Sequence, residues 1–266
     1  MTHLSTHQGL TSYVVIPARL QSTRLPNKML LRETGKTLIQ HSYEAAREAK
    51  RPLGFCVATE DREIADEVVA FGGQAVLTEP GIRSGTDRVA RVAQEAALSG
   101  IDIVVNVQGD EPELAGEHID LVIQALEDTP TAVMATLAAP IRNREALEDP
   151  ACVKVVFDRF GRALYFSRAA IPAVKRWDDR LMTDIQPHFY QHIGLYAYRR
   201  DFLLELTKLP STDLEQLEDL EQLRVLEAGH TISVGVIDHA AAGIDTPEDY
   251  RAFVERQAAR QMRRSA

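Results

Sequence analysis

The chain has 266 residues, of which 45% are hydrophobic and 26% charged, and its net charge is −9. No stretch approaches the roughly 20 consecutive apolar residues that a membrane span needs. Residues 1–12 lack the basic start, apolar centre and small-residue cleavage site of a signal peptide, so we expect a cytoplasmic protein that does not associate with membranes. The acidic balance disfavours nucleic-acid binding, because no basic patch interrupts it except the short tail 260–264.

From Tyr13 onward, short apolar runs alternate with stretches of helical periodicity, a pattern typical of βαβ units around a parallel sheet. The apolar runs are nearly continuous, as in strands that helices cover on both faces. The predicted strands are residues 13–16, 55–59, 74–77, 103–107 and 132–137. The predicted covering helices are residues 37–49, 62–72 and 86–98. The pattern therefore predicts an α/β fold with a mostly parallel central sheet flanked by helices.

After Pro150 the pattern changes, and it predicts a C-terminal antiparallel extension followed by more helix. Residues 213–229 form one strongly helical stretch with a leucine stripe, which leaves Glu218, Glu221 and Gln222 towards water. A last strand and a last helix, from Thr246, complete the chain. Because no linker or repeat is found, we expect a flexible segment at 1–12 and a single domain at 13–266.

The two cysteines, Cys56 and Cys152, lie apart within apolar runs. Neither a CxxC pair nor a zinc-ligand spacing exists, so we interpret both as core residues of a protein from a reducing compartment.

The loop after the first predicted strand, residues 17–28, contains Arg19, Arg24 and Lys28, and two prolines stiffen it. In an open α/β sheet the ligand crevice lies beyond the carboxyl ends of the strands, which places this loop at the crevice. Three cations there favour an anionic ligand such as a triphosphate, although a basic surface loop is the alternative. Neither a Walker A motif nor GxGxxG occurs, which excludes P-loop kinases and Rossmann dehydrogenases.

The segment NVQGDEP, residues 106–112, ends a predicted buried strand with a glycine turn and two acids, Asp110 and Glu111. Magnesium binds carboxylate oxygens while retaining waters and substrate phosphates, so Asp110 is a candidate metal ligand. A turn with solvated acids is the alternative.

Two further segments resemble helix starts. In SGTDR, residues 84–88, Ser84 has capping spacing, and the free N–H groups of such a helix end can also hold anionic ligand atoms. In GIDTPED, residues 243–249, Thr246 is the predicted N-cap, which leaves Asp245 free to face a site. Capping alone explains both segments.

A polar face is predicted on the strand HIGLYAYR, residues 192–199. With period two, His192, Tyr196 and Tyr198 lie opposite the apolar face. Such a face could line a sugar pocket, whereas a histidine there could equally be a structural residue.

Taken in order, PARLQSTRLPNK, SGTDR, NVQGDEP, YFSR, HIGLYAYR, LEQLRVLEAG and GIDTPED resemble the 3-deoxy-manno-octulosonate (Kdo) cytidylyltransferase, or CMP-Kdo synthetase, family. The resemblance spans residues 13 to about 255. It implies a nucleotide-diphospho-sugar transferase fold and the conversion of CTP and Kdo to CMP-Kdo and diphosphate for lipopolysaccharide biosynthesis. It further implies a magnesium cofactor and a homodimer formed through the region 188–228.

The matching motifs also imply residue roles. Arg19 and Lys28 would hold the CTP phosphates, Arg24 would lie with them in the nucleotide loop, and Arg88 with Ser84 would hold the nucleotide. Asp110 and Asp245 would bind magnesium, and together with Arg19 and Lys28 they would form the catalytic set. The residues implied around Kdo are Gln108, Arg168, His192, Tyr196, Glu221 and Gln222. Two departures from the family pattern, Ile82 and Asn27, touch neither the metal nor the phosphate positions.

Two other functions remain open. The same scaffold could activate a related sugar acid, such as 8-amino-Kdo or sialic acid, or a sugar phosphate with a different nucleotide. A non-catalytic nucleotide or sugar sensor is the other class, and loss of Asp110 or Asp245 would favour it, but both acids are present.

Overall fold

The computed structural model describes residues 9–264, within which the strands form one nine-stranded mixed sheet. The strands are β1 Ser12–Pro17, β2 Phe55–Thr59, β3 Ala75–Leu77, β4 Ile103–Asn106, β5 Ala132–Pro140, β6 Lys154–Phe157, β7 Ala163–Ser167, β8 Tyr190–Arg199 and β9 Thr231–Val236. The α-helices are α1 Leu38–Ala46, α2 Arg62–Ala70, α3 Gly85–Ala93, α4 Gly116–Glu127, α5 Arg144–Glu148, α6 Arg180–Thr183, α7 Arg200–Leu206, α8 Asp213–Glu218, α9 Gln222–Glu227 and α10 Pro247–Arg264. The predicted α/β class is confirmed.

The sheet order is β3-β2-β1-β4-β8-β5-β9, and the first four strands of this order are mutually parallel. The chain runs from β1 outwards to β2 and β3, then returns to place β4 on the other side of β1. This reversal of strand order is a topological switch point. The loops after β1 and β4 leave the sheet there in opposite directions, and a crevice forms between them. The basic loop and the NVQGDEP segment therefore meet at the carboxyl end of the sheet.

Helices cover both faces of the sheet, as the continuous apolar runs predict. Along β1, Val14 and Ile16 pack into the core under α1, α2, α4 and α10, whereas Val15 packs into the core under α3, α7 and α9. The alternation follows from the two-residue period of a strand. No helix in the described part of the chain is both long enough and apolar enough to cross a membrane.

The strand β8 differs from its predicted place in an antiparallel extension. It is inserted into the main sheet between β4 and β5 and is antiparallel to both. Both of its faces are apolar enough for this position, since Leu195 and Ala197 pack into one core and Tyr198 into the other. The predicted antiparallel extension is the hairpin of β6 and β7, which joins the sheet where β6 pairs with β8.

The predicted single helix over 213–229 is also wrong, because Asp219 breaks it into α8 and α9 with a left-handed φ of 52°. The break disrupts the leucine stripe: Leu217 is 82% exposed, whereas Leu223 is fully buried. It also turns Gln222 into the protein, where only 4% of the residue is exposed.

The predicted flexible segment 1–12 lies mostly outside the described residues. Of its described part, Leu10 N donates to Glu127 and Thr11 N donates to Asp102, which attaches the chain to the sheet before β1 begins at Ser12.

Candidate active site

The basic loop after β1 presents its cations in two different ways. Arg19 and Arg24 are exposed, and Arg19 makes no ion pair within residues 9–264. Lys28 is buried instead, because the chain tightens there into a short 3₁₀ turn after Asn27, which adopts a left-handed φ of 55°. Arg24 Nη2 lies 3.1 Å from Asp245 Oδ2. The loop therefore offers two exposed guanidinium groups, one of them paired with an acid, and one enclosed ammonium.

The ammonium of Lys28 joins two acids from distant parts of the chain. Its Nζ lies 2.6 Å from Asp110 Oδ2 and 3.2 Å from Asp245 Oδ1. A backbone hydrogen bond of 2.9 Å, from Ile244 N to Asp110 O, ties the two acidic loops together beside it. Asp110 follows β4 and Asp245 precedes α10, so the fold brings the predicted pair of carboxylates to one point.

These two carboxylates fit a magnesium ion by their chemistry. They are hard oxygen donors, they converge on a positive charge already, and they stay 29% and 49% exposed on the side that faces solvent. The described residues contain no group of three or more His, Cys, Asp or Glu side chains arranged for a metal. One or two carboxylates are enough for magnesium, which keeps several waters and binds substrate phosphates.

Glu111 is a third acid at this point, to which the sequence assigned no role. Its carboxylate lies over Gly194, where an added Cβ would be 3.7 Å from Oε1. Burial raises the pKa of Glu111 to about 7, and the nearby charges of Asp110 and Asp245 add to the effect. Its position directly after Asp110 was the one sequence signal for it.

A cavity of about 820 Å³ unites the predicted nucleotide and metal residues. Its lining includes Arg19, Arg24, Lys28, Ser84, Arg88, Gln108, Asp110, Glu221 and Asp245. Ile82 and Arg83 also line it, so the position that departs from the family pattern faces this cavity. Arg83 is an exposed cation that the sequence analysis did not select.

The start of α3 forms one wall of this cavity. Ser84 is its N-cap, and the Ser84 hydroxyl accepts a 3.0 Å hydrogen bond from Asp87 N. Arg88, one turn further, is 3% exposed and pairs with Glu60 at 3.2 Å while it donates to Thr78. The guanidinium is thus held in place from behind.

A second cavity of about 270 Å³ adjoins the first and shares Gly85, Gln108 and Glu221 with it. Tyr196 and Tyr198 of β8 line it, together with Gln222 from α9. The Nε2 atom of Gln222 is buried without a hydrogen-bond partner among the described residues.

Glu221 stands at the boundary between the two cavities. It accepts a 2.6 Å hydrogen bond from Thr86 Oγ1, which links the α8–α9 turn to the start of α3. Burial raises the pKa of the Tyr196 phenol, and the charges of Glu221 and Glu111 raise it further. Tyr196 therefore stays protonated and can donate a hydrogen bond.

Two predicted sugar contacts, Arg168 and His192, do not line either cavity. His192 lies 3.0 Å from Thr136 Oγ1 with its ring edge-on to Phe166, and burial lowers its pKa to about 3. Arg168 donates to the carbonyls of Glu218 at 2.6 Å and Asp219 at 3.2 Å, so it holds the α8–α9 turn. Direct contact of either residue with a sugar stays a prediction.

Comparison with known proteins places this geometry in a family. The family model described as cytidylyltransferase matches residues 13–232. A Rhodopirellula baltica protein named 3-deoxy-manno-octulosonate cytidylyltransferase is 50% identical over 91% of this chain and 97% of its own length. A Shewanella loihica protein named 8-amino-3,8-dideoxy-manno-octulosonate cytidylyltransferase is 44% identical over 90% of this chain and 95% of its own.

A solved structure agrees with these relatives. CMP:2-keto-3-deoxy-manno-octonic acid synthetase, complexed with CTP, superposes with a TM-score of 0.85 at 37% identity, covering 94% of this chain and 99% of that one. The chain therefore belongs to the cytidylyltransferase family and, within it, to the group of 3-deoxy-manno-octulosonate cytidylyltransferases.

Proposed function

We propose that the protein transfers a cytidylyl group from CTP to Kdo, giving CMP-Kdo and diphosphate for lipopolysaccharide biosynthesis. The observation that carries this proposal is the pair of adjoining cavities, one lined by cations and two convergent acids, the other by hydrogen-bonding and aromatic side chains. The names of the relatives, and the CTP complex of the structural neighbour, support it.

In the larger cavity, the exposed guanidinium groups of Arg19 and Arg24 bind the triphosphate. Arginine suits this task because its planar fork makes two parallel hydrogen bonds to phosphate oxygens. The free N–H groups at the start of α3, beside Ser84, accept a further polar or anionic part of the nucleotide, and Arg88 forms the wall behind it.

Asp110 and Asp245 are the residues that would hold magnesium. When bound, magnesium neutralises phosphate charge and lowers the pKa of a hydroxyl that it contacts. Lys28 keeps the two carboxylates together by bonding to both, and its ammonium adds positive charge near the departing diphosphate.

In the reaction, the anomeric hydroxyl of Kdo attacks the α-phosphorus of CTP, and the bond from that phosphorus to the β-phosphate oxygen breaks. Two anions must meet, because Kdo has a carboxylate and CTP a triphosphate. Positioning and charge neutralisation are therefore the main tasks of the protein, as in other phosphoryl transfers.

The smaller cavity binds the sugar. Gln108, Tyr196, Glu221 and Gln222 line it and supply both donors and acceptors for hydroxyl groups. Since Gln108 and Glu221 also line the larger cavity, a sugar bound there lies next to the nucleotide.

A second candidate substrate is 8-amino-Kdo. The carboxylate of Glu221 in the sugar cavity would suit an ammonium group, and the Shewanella loihica relative is named for that substrate. Kdo is the first choice because the relative with 50% identity is named for it.

Three further properties belong to the proposal: a magnesium requirement, a cytoplasmic location and a homodimer through the region 188–228. The dimer follows from the family resemblance, and Leu217, which is 82% exposed within this region, is one side chain that such a dimer could cover. Sedimentation analysis of the full chain tests it, with a monomer mass at micromolar concentration as the contrary result.

Diphosphate release tests the activity, with each nucleoside triphosphate assayed against Kdo, 8-amino-Kdo and sialic acid in the presence of magnesium. We expect turnover with CTP and Kdo, and a product with the mass of CMP-Kdo. Turnover with sialic acid alone would overturn the substrate assignment, and preference for 8-amino-Kdo would select the second candidate. No turnover with any pair, while CTP still binds, would favour a sensor.

A further inference from the structure

The side chain of Glu113 makes a contact that the proposed reaction does not use. Glu113 lies three residues after Asp110, and its side chain is 9% exposed. Arg256 of α10 donates from Nε to Glu113 Oε2 at 2.8 Å, and its Nη2 lies 2.7 Å from the same oxygen. Arg260, one turn later, places Nη2 3.1 Å from Oε1. Both oxygens of this carboxylate thus face a guanidinium from one helix.

This contact connects the two segments that supply the acids. Asp245 is bound to the start of α10, because Asp249 Oδ2 accepts hydrogen bonds from Asp245 N at 3.1 Å and Thr246 N at 2.8 Å. The acidic loop that contains Asp110 also contains Glu113. The geometry of α10 against this loop therefore contributes, together with Lys28, to how far apart the two acids lie.

Several contacts hold α10 near the acids. The backbone bond from Ile244 N to Asp110 O joins the two segments, Lys28 bonds to both acids, and Tyr250 and Phe253 of α10 are buried in the core. At a rise of 1.5 Å per residue, Arg256 and Arg260 lie about 14 to 20 Å along the helix from Pro247. Their contact with Glu113 joins this later part of α10 directly to the loop that contains Asp110.

An ordinary surface ion pair on the same helix shows the contrast. Arg251 pairs with Glu248 three residues earlier, and both side chains are 70% exposed. Such a pair links the helix only to itself and contributes little. The Glu113 contact joins two segments far apart in sequence, and its carboxylate is largely withdrawn from water.

We propose that Glu113, Arg256 and Arg260 form a clamp that helps to set the separation of Asp110 and Asp245, and thereby the affinity of the site for a divalent cation. The inference rests on the proposed function in one respect, the assignment of these two acids as the metal ligands. The three clamp residues are positioning residues, since none of them lines either cavity.

Binding of Mn²⁺ to the full chain, measured by electron paramagnetic resonance without substrates, tests the clamp. The double variant Arg256→Gln with Arg260→Gln is expected to bind Mn²⁺ about tenfold more weakly, the lower end of the loss seen when residues that orient metal ligands are removed. Arg251→Gln with Arg263→Gln is the matched control, because it removes two charges from the same helix. We expect wild-type affinity in this control.

Further variants separate positioning from folding. Replacing Arg256 and Arg260 by lysine should restore part of the affinity, because the positive charge returns without the planar fork. Glu113→Gln should weaken binding as the double variant does, and combining the two should add nothing, since residues of one network are not additive. Thermal unfolding of each variant measures its fold separately from its affinity.

The clamp is overturned if Arg256→Gln with Arg260→Gln binds Mn²⁺ like the wild type, if the control weakens binding equally, or if the Glu113 and arginine effects simply add. These results are distinct from a failure of the proposed function. A wild-type protein that binds Mn²⁺ but does not turn over Kdo would refute the function and leave the clamp standing. A wild-type protein that turns over Kdo, with a double variant that binds Mn²⁺ equally well, would support the function and refute the clamp.

Discussion

The two adjoining cavities are built from opposite kinds of structure. The larger one lies between loops that follow β1 and β4, and its side chains are charged, with Arg19 and Arg24 exposed. The smaller one lies against β8 and the α8–α9 turn, where two tyrosines and a buried glutamine lie beside the acids Asp219 and Glu221, in place of the arginines. The difference teaches that one protein can separate the neutralisation of charge from the recognition of shape and hydroxyl pattern.

The comparison divides the expected effects of substitutions into two classes. Changes in the charged cavity should act on kcat, because charge on the leaving diphosphate grows in the transition state. Changes in the sugar cavity should act on KM for Kdo, because those contacts form when the sugar binds.

The largest effect is expected for Asp110→Asn, which removes one of the two convergent charges while the shape is kept. We expect kcat to fall about 1,000-fold, the upper end for loss of one preorganised electrostatic group. Steady-state kinetics at saturating CTP and Kdo measure it. Asp201→Asn, at a side chain that is 95% exposed, is the control and should change nothing. Near-normal turnover of the Asp110 variant in limiting magnesium would refute its metal role.

A smaller loss is expected for Arg19→Lys, which keeps the positive charge and removes the planar fork. We expect kcat to fall about 100-fold, because a lysine cannot make the paired phosphate contact. The melting temperature should not change, since Arg19 has no ion-pair partner within residues 9–264. An increase of KM for CTP with an unchanged kcat would show that Arg19 binds substrate and transition state equally. That result would contradict the expectation that residues of the charged cavity act on kcat.

The buried histidine behind the sugar cavity gives a pH-dependent effect on stability. The pKa of His192 falls from 6.5 to about 3, so its stabilising contribution is complete above pH 6.5 and is lost as the pH falls towards 3. As the pH falls from 6.5 to about 5, the wild type should lose about 2 kcal/mol of unfolding free energy through His192. The variant His192→Gln should not show this loss.

Urea unfolding at several pH values, for the wild type and His192→Gln, measures that difference. His239→Gln, at an exposed histidine, is the control and should follow the wild-type curve. If the wild type and His192→Gln lose stability in parallel, His192 titrates normally and the neutral, buried surroundings described here are incorrect.

The smallest effect is expected for Gln222→Met, which replaces a buried amide by an apolar side chain of similar length. KM for Kdo should rise about tenfold through loss of one hydrogen bond. The melting temperature should rise as well, because Nε2 has no partner in the described protein and its burial is a cost.

A weaker affinity for Kdo together with a higher melting temperature in Gln222→Met would identify Gln222 as a ligand-binding residue. Gln216→Met, at an exposed position of the adjacent helix, should alter neither quantity. A rise in KM for CTP that equals the rise for Kdo would break the separation of the two cavities.

The strands were the most predictable part of the fold. Phe55–Thr59 has the predicted bounds, and the predicted alternation along β8 is confirmed, with Leu195 and Tyr198 in different cores. Burial on both faces gives a strong signal because every residue of such a strand must be apolar or paired.

The break between α8 and α9 could not be predicted from periodicity. Asp219 adopts a left-handed conformation in a stretch whose leucine spacing continues on both sides, so the local pattern favours one helix. The break is stabilised by distant contacts, in which Arg168 donates to the carbonyls of Glu218 and Asp219. A single sequence does not reveal such contacts.

The site was predictable to a different degree in its two halves. Asp110 and Asp245 were selected because they lie where a strand ends and a helix begins, and the structure brings them to one ammonium. Glu111, Arg83 and the partnerless Gln222 amide depend on tertiary burial. The family resemblance implies Arg168 and His192 as sugar contacts, but a matching motif does not report burial, and neither residue lines a cavity.

The second acid comes late in the chain, in the turn that leads into α10. During synthesis the sheet, the basic loop and Asp110 all leave the ribosome before Asp245 does. A polypeptide released before that residue would possess most of the proposed phosphate-binding walls and only one of the two proposed metal ligands. Under the proposed mechanism, catalytic competence thus depends on completing the polypeptide, and we expect a prematurely terminated product not to consume nucleotide.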